Sequence, residues 1–260
     1  MRTIIGEYAG GHLQPGLTEH GEDLPAAILQ ELKGRFFEEY REANLRLTAQ
    51  QLKGAATADQ DLIQAIQAFE ALERVQNTLG KYLGEWYGLH HPEAELSGDA
   101  LLTAEVLESG LSDMTAGQRR LAQTHDALRA YVEQQAQRVL PNMTSIAGAL
   151  LSAKLLACAG SLARLAKMPS TTIQLLGAEQ ALFRHLRNPK ALPPKHGLII
   201  SHPLLQATSA RGRMARILAN ALALAARIDF YRGEYAGDEL KNKVEVQSRA
   251  LARSKVPERR

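Results

Sequence analysis

The sequence holds a single cysteine, Cys158, in 260 residues, so no internal disulfide can form and the fold rests on packing. Aromatic residues are also scarce, at 5%. Leu, Ala, Gln, Glu and Arg are abundant instead, and these are strong helix formers with few β-branched competitors. No apolar run is both long and uncharged. The longest, Ile146 to Ala166, is interrupted by Lys154 and Arg164, whereas a bilayer-spanning helix needs about 20 nearly uncharged residues. The opening MRTIIGEYAG has no apolar stretch of secretory length, and a cytoplasmic protein is the expectation. Signatures of chemistry are missing as well: there is no G-x-G-x-x-G, no P-loop and no paired metal-ligand spacing. His90 and His91 beside Glu93 and Glu95 offer four donor groups, but neighbours on one loop make a poor chelate, and no metal site is expected.

What the sequence does have is segregated charge. The formal net charge of +3 hides a reversal: residues 1–140 carry 12 Lys and Arg against 21 Asp and Glu, whereas residues 141–260 carry 19 against 7. The halves are therefore at −9 and +12, which sets the second half to face an anion, with nucleic acid foremost. Hydrophobic residues at 45% and charged residues at 23% are ordinary globular values and exclude wholesale disorder.

Apolar periodicity divides the chain. Residues 1–53 read as a small N-terminal module, glycine-rich at first and then helical from about Pro25 to Leu52. Residues 54–140 read as an arm of two helices, about 58–88 and 113–140, joined by a connector containing LHHPEAELSGD. Leu62, Ile66, Phe69, Leu72, Val75, Leu79, Leu83 and Trp86 recur at helical spacing on the first, and Leu121, Leu128, Val132 and Val139 at heptad spacing on the second. This predicts an antiparallel coiled-coil hairpin whose narrow seam a second copy or a partner helix covers. Residues 141–233 read as a compact helical domain. Its expected helices are one from Pro141 closing at Gly160, one stopping before Pro169, one broken or bent at Gly177, and a long one over about Gly212 to Ile228 with Ile217, Ala221, Leu224 and Ile228 as its stripe. Residues 234–260 read as a basic tail, weakly amphipathic around Leu240, Val244 and Leu251. The fold class expected is all-α.

Two clusters carry candidate chemistry. Near Gly177, the spacing of Ala178, Leu182 and Leu186 marks a packed face, leaving Gln180, Phe183, Arg184 and Arg187 beside it. An exposed Phe between arginines suits a base-stacking platform beside a phosphate clamp; the alternative is that Phe183 tucks into a neighbouring helix. In SARGRMARILANAL, Arg211, Arg213 and Arg216 crowd a helix start, where cations oppose the helix dipole unless an anion sits among them. With Lys190, Lys195 and His196 they form one basic surface or, on the plainer reading, a solvated charge run. An enzyme using His196 or His202 finds no nucleophile or orienting carboxylate at a telling spacing, and Cys158 reads as a buried packing residue. A helical protein-interaction module is a further alternative.

The run PNMTSIAGALLSAKLLACAGSLARLAKMPSTTIQLLGAEQALFRHLRN and the stretch ADQDLIQAIQAFEALERVQNTLGKYLGEWYGLHHPE resemble the Nop-domain family, closest to its archaeal box C/D small-ribonucleoprotein scaffold. The resemblance covers about residues 57–240. It implies a non-catalytic scaffold for RNA 2′-O-methylation, without a cofactor of its own. The implied partners are a kink-turn guide RNA, a small ribosomal-protein-like kink-turn binder, a second copy through the coiled coil, and a fibrillarin-like methyltransferase that brings S-adenosylmethionine. The family's RNA-touching GAEK and ALFR elements fall on Gly177, Ala178, Glu179 and Gln180 and on Ala181 to Arg184. Gln180 replaces the family's lysine, and the N-terminal module is shorter than the family's domain.

Overall fold

The computed structural model describes residues 2–3, 6–9, 12–15, 37–55, 57–92, 109–188 and 190–253. They belong to two compact units, Met1–Thr57 and Ala58–Arg260.

In the first unit, strands β1 (Arg2–Thr3), β2 (Gly6–Ala9) and β3 (His12–Pro15) pair antiparallel in chain order, with Glu7 opposite Arg2 on one side and Gln14 on the other. This small sheet adds to the all-α expectation, which the second unit meets among its described residues. Strands of two to four residues are too short to display alternation. Helix α1 (Phe37–Ala55) corresponds to the later part of the expected N-terminal helix, and residues 25–36 lie outside the described residues.

The second unit begins with a long hairpin, α2 (Ala58–His90) and α3 (Ser109–Val139). Phe69 stacks on His125 with ring centroids 4.5 Å apart, and the Gln118 side-chain amide donates to the Gln76 carbonyl at 3.0 Å. Numbers rising on one helix as they fall on the other establish the antiparallel run. The connector at residues 93–108 lies outside the described residues.

The seam residues are used within the chain. Leu62, Ile66, Phe69, Leu83 and Val132 are buried, and Leu72, Leu79, Leu121, Leu128 and Val139 are partly so. Sequence spacing left the seam to a second copy or a partner helix, and α5 (Ala149–Ala159) packs on both hairpin helices and covers much of it. Val75 and Trp86 depart from the expected stripe: with Tyr82 and Leu89 they are the large apolar side chains left exposed on α2, spaced by seven, four and three residues.

Pro141 starts α4 (Pro141–Ala147), and Gly148 at φ 78° turns the chain by 119° into α5. Sequence periodicity runs through this bend, so one predicted helix is two. Asp229 caps α4, accepting from the Asn142 N–H at 3.0 Å, the Asn142 side-chain amide at 2.7 Å and the Met143 N–H at 3.1 Å. Burial raises the Asp229 carboxyl above its ordinary pKa, and those three donors pull it partly back. Among the described residues no single helix is long and apolar enough to cross a membrane.

The remaining helices are α6 (Leu162–Lys167), α7 (Ser170–Leu175), α8 (Glu179–Arg187), a 3-10 turn at Leu198–Ser201, α9 (Pro203–Gln206), α10 (Arg211–Tyr231) and α11 (Gly237–Arg253). The inward face of α10 holds Met214, Ala215, Leu218, Ala219, Leu222, Ala223, Ala225 and Ala226. The stripe expected from sequence was displaced from it: Leu224 is exposed, and Ile217, Ala221 and Ile228 lie at the margin. Alanines, small enough for close helix packing, occupy the central positions that a search for large residues passes over. Residues 237–253 are not a tail either, since α11 buries Leu240 and Val244 against α4 and α10.

Candidate nucleic-acid interface

The surface around α8 is built from a turn and a strap. At the end of α7 the chain passes through Gly177 at φ 83°, where an added Cβ would lie 2.5 Å from Leu198 Cγ. Across from it, a Cβ on Gly197 would lie 1.9 Å from the Leu176 carbonyl oxygen, so only glycine fits. This close approach lets the Gly197 N–H donate to the Gln174 carbonyl at 2.8 Å and the Leu198 N–H to the Leu176 carbonyl at 2.7 Å. The Gln174 side-chain amide adds a bond to the Lys195 carbonyl at 2.7 Å. Residues 174–178 and 195–198 thus form one clamped structure.

The clamp projects α8. No residue of this helix is buried, and Phe183 is 58% and Leu186 67% exposed. Phe183 does not tuck into a neighbouring helix: the ring faces solvent beside Arg184 and Arg187. Leu186 departs from the inward face assigned to it; Ala178 and Leu182 are partly buried, so the helix rests on one edge of its first turns only. Beyond it, His185 Nδ1 bonds the Ala191 carbonyl and the Lys190 N–H donates to Asn188 Oδ1 at 3.1 Å, folding the following loop back on the helix.

The second basic cluster meets the strap. Arg211, Arg213 and Arg216 are exposed on the first turns of α10, which has no side-chain cap. A Cβ on Gly212 would lie 3.9 Å from Lys195 Cδ, which places the Lys195 stem against this helix start. The structure therefore joins Gly177, Ala178, Lys195, partly buried His196 and the α10 arginines through residues 195–198. Arg187 and Lys190 sit beyond the clamp, at the far end of α8.

This surface holds cations with almost no carboxylate among them. Elsewhere several exposed cations are paired: Arg46 with Glu42, Lys81 with Glu85, Arg129 with Glu133, Lys243 with Glu239 and Arg249 with Glu245. The side chains of Arg184, Arg187, Lys190, Lys195, Arg211, Arg213 and Arg216 make no ion pair with any described residue. Glu179 is the only carboxylate between residues 134 and 228, and its Oε1 accepts the Gly177 N–H at 2.8 Å. Unneutralised cations around an exposed ring are suited to phosphate and base together.

Two residues considered for catalysis have other roles. His202 is buried; its Nε2 donates to the Ile146 carbonyl at 3.0 Å and its Nδ1 accepts the Leu204 N–H at 3.2 Å, so both nitrogens are occupied in the fold. Desolvation lowers its pKa, against the Ile146 bond. Cys158 is exposed rather than buried, at the last turn of α5. Partial desolvation of the thiol, with Glu179 and Glu70 nearby, raises its pKa and keeps it protonated, the reverse of an activated nucleophile. Gln174 and Gly197, which hold the clamp, escaped sequence reasoning; a glycine before the apolar run LIIS was the available signal.

A family model described as Nop, snoRNA binding domain, fibrillarin, matches residues 94–250. An uncharacterized NOP5 family protein of Methanocaldococcus jannaschii is 34% identical over 244 residues, covering 76% of this chain and 58% of that protein. Nucleolar protein 58 of Schizosaccharomyces pombe is 34% identical over 239 residues, covering 74% and 47%. Nucleolar protein 56 of Saccharomyces cerevisiae is 30% identical over 240 residues, covering 72% and 47%. The chain spans about half the length of these curated relatives. A chain from the crystal structure of a fibrillarin/Nop5p complex shares the fold, with a TM-score of 0.57 at 23% identity, covering 96% of this chain and 98% of that one.

Proposed function

The chain belongs to the Nop family of snoRNA-binding domains, and from that premise we propose that it is a non-catalytic ribonucleoprotein scaffold gripping a box C/D guide RNA at its kink-turn. The observation that carries this reading is the exposed Phe183 beside Arg184 and Arg187, on a part of the chain whose cations make no ion pair with described residues. Phosphates lie against Arg184, Arg187 and the α10 arginines, while the Phe183 ring takes an unstacked base. Exposed Leu186 and Leu192 give the same surface an apolar border, which suits a small ribosomal-protein-like kink-turn binder sitting beside the RNA. A fibrillarin-like methyltransferase, supplying S-adenosylmethionine, performs the 2′-O-methylation; the named complex of the structural neighbour supports that partner. A second copy docks along Val75, Tyr82, Trp86 and Leu89, whose heptad spacing suits a helix seam.

Salt dependence tests the grip. If about five phosphates are neutralised, log affinity for a kink-turn RNA falls against log salt with a slope of about −3.5 to −4.5. Arg213→Ala weakens binding across RNA sequences and flattens the slope by about one. A slope near zero in filter-binding titrations, unchanged by that substitution, contradicts the reading.

A further inference from the structure

The basic surface does not end at the first turns of α10. Steps of three and four residues carry one exposed ridge along the whole helix: Arg213, Arg216, Asn220, Leu224, Arg227 and Tyr231. At 1.5 Å per residue, Arg213 and Tyr231 stand about 27 Å apart. The ridge has no carboxylate. Asp229, the only acid of α10, is spent on α4, and the adjoining α6 and α7 contain none.

The far end of the ridge repeats the chemistry of its start. Tyr231 is 68% exposed, and its ring is braced edge-on by Phe230 with centroids 4.9 Å apart. Arg227 Nε donates to the Ala166 carbonyl at 3.2 Å, which fixes the guanidinium beside α6, where Lys167 is exposed without an ion pair among the described residues. A fixed cation, a second cation and a braced ring facing solvent are poorly accounted for by folding. They match a stacking platform with phosphate contacts.

We infer that the outer ridge of α10 is a second RNA contact, along which the stem leaving the first site runs until an unpaired base stacks on Tyr231. The inference rests on the RNA reading of the α8 surface. About 27 Å corresponds to about ten base pairs at the rise of roughly 2.8 Å per pair of an A-form RNA stem. Leu224, between the cationic ends, lies against the shallow minor groove of the RNA, where riboses rather than phosphates are presented.

The test uses the full chain and two RNAs: a kink-turn RNA with a short stem, and the same RNA with the stem lengthened by about ten base pairs and ended in unpaired nucleotides. The longer RNA binds more tightly and with a salt slope steeper by about two, one for each added cation. Tyr231→Ala lowers affinity for the longer RNA by about 5- to 150-fold and leaves the short one unchanged, while Tyr231→Phe retains the gain. Equal affinity for the two RNAs, or equal loss on both from Tyr231→Ala, overturns the inference and leaves the first site standing if Arg213→Ala still weakens the short RNA. Binding of neither RNA overturns both readings. Capture of polyglutamate that depends on Arg227 and is indifferent to Tyr231 assigns the ridge to an acidic protein and overturns the RNA track.

Discussion

His202 shows how one residue separates a structural from a chemical role. With Nε2 donating to the Ile146 carbonyl and Nδ1 accepting the Leu204 N–H, the neutral ring satisfies both bonds, and protonation at Nδ1 breaks one and buries a charge. The folded-state pKa is accordingly below the ordinary 6.5, with desolvation as the largest cause. The sign follows from linkage: a depressed histidine contributes stability that is present above the unfolded value and lost as pH falls through the folded one. The melting temperature of the wild-type chain therefore drops between pH 7 and pH 5, and His202→Ala is flatter over that range in calorimetry. The variant is less stable at neutral pH by about 2 kcal/mol, since the Ile146 and Leu204 groups lose their partner. RNA affinity at neutral pH stays within about twofold of wild type, whereas a catalytic His202 would make the substitution fatal to activity with no effect on the melting profile. Nothing in the sequence distinguished these roles, because the partners of His202 include a carbonyl 56 residues away.

At the scale of elements, helix positions were legible and bends less so. The hairpin helices, the stop before Pro169 and the break at Gly177 follow from periodicity and from glycine and proline chemistry. The 119° turn at Gly148 was hidden, since apolar residues continue on both sides of it and both arms are buried. The sheet at residues 2–15 was hidden by shortness, and the displaced α10 stripe by alanines. For the site, residue types and their neighbourhood were readable, but the clamp that aims α8 depends on a contact between residues 176 and 197 that no local pattern encodes. Its consequence is measurable. Gly177→Ala places a side chain in the left-handed region, costing about 1–2 kcal/mol, and its Cβ at 2.5 Å from Leu198 Cγ forces that side chain to shift as well. Gly197→Ala drives a methyl into backbone, so both strap hydrogen bonds are lost and the cost exceeds about 3 kcal/mol. Because α8 buries nothing that would hold it independently, both variants weaken RNA binding, Gly197→Ala the more, in parallel thermal melts and RNA titrations. An intact affinity in Gly197→Ala would mean that α8 is aimed by something other than the strap.

The whole molecule combines an acidic hairpin with a basic body, and the opposite net charges of the two halves of the sequence already express that contrast. The division into an arm, a body and a tail was less faithful. The hairpin base shares one hydrophobic core with the body, where Leu62, Val132, Leu155 and Leu218 belong to a single cluster, so Pro141 marks a change of helix and not the edge of a core. The last segment reads as a tail because its polar and charged residues outnumber its apolar ones, yet two buried side chains and a few hydrogen bonds suffice to seat α11. Leu240 and Val244 each contribute about 1.5–3 kcal/mol by burial. The Ala236 N–H bond to Asn142 Oδ1 at 2.7 Å and the Ser145 hydroxyl bond to Asp238 at 2.9 Å add about 1 kcal/mol apiece. A chain ending at residue 233 therefore forgoes a gross contribution of about 5–8 kcal/mol, offset in part by the ordering entropy of the helix it no longer forms. It also strips the cover from α4 and from the Asn142–Asp229 cap beneath, so the loss extends to the far end of α10. Calorimetry on this truncation is expected to show a melting temperature lower by more than about 10 °C, or an aggregating chain. A removable tail predicts an unchanged transition, and that result would return residues 237–253 to the status their composition suggested.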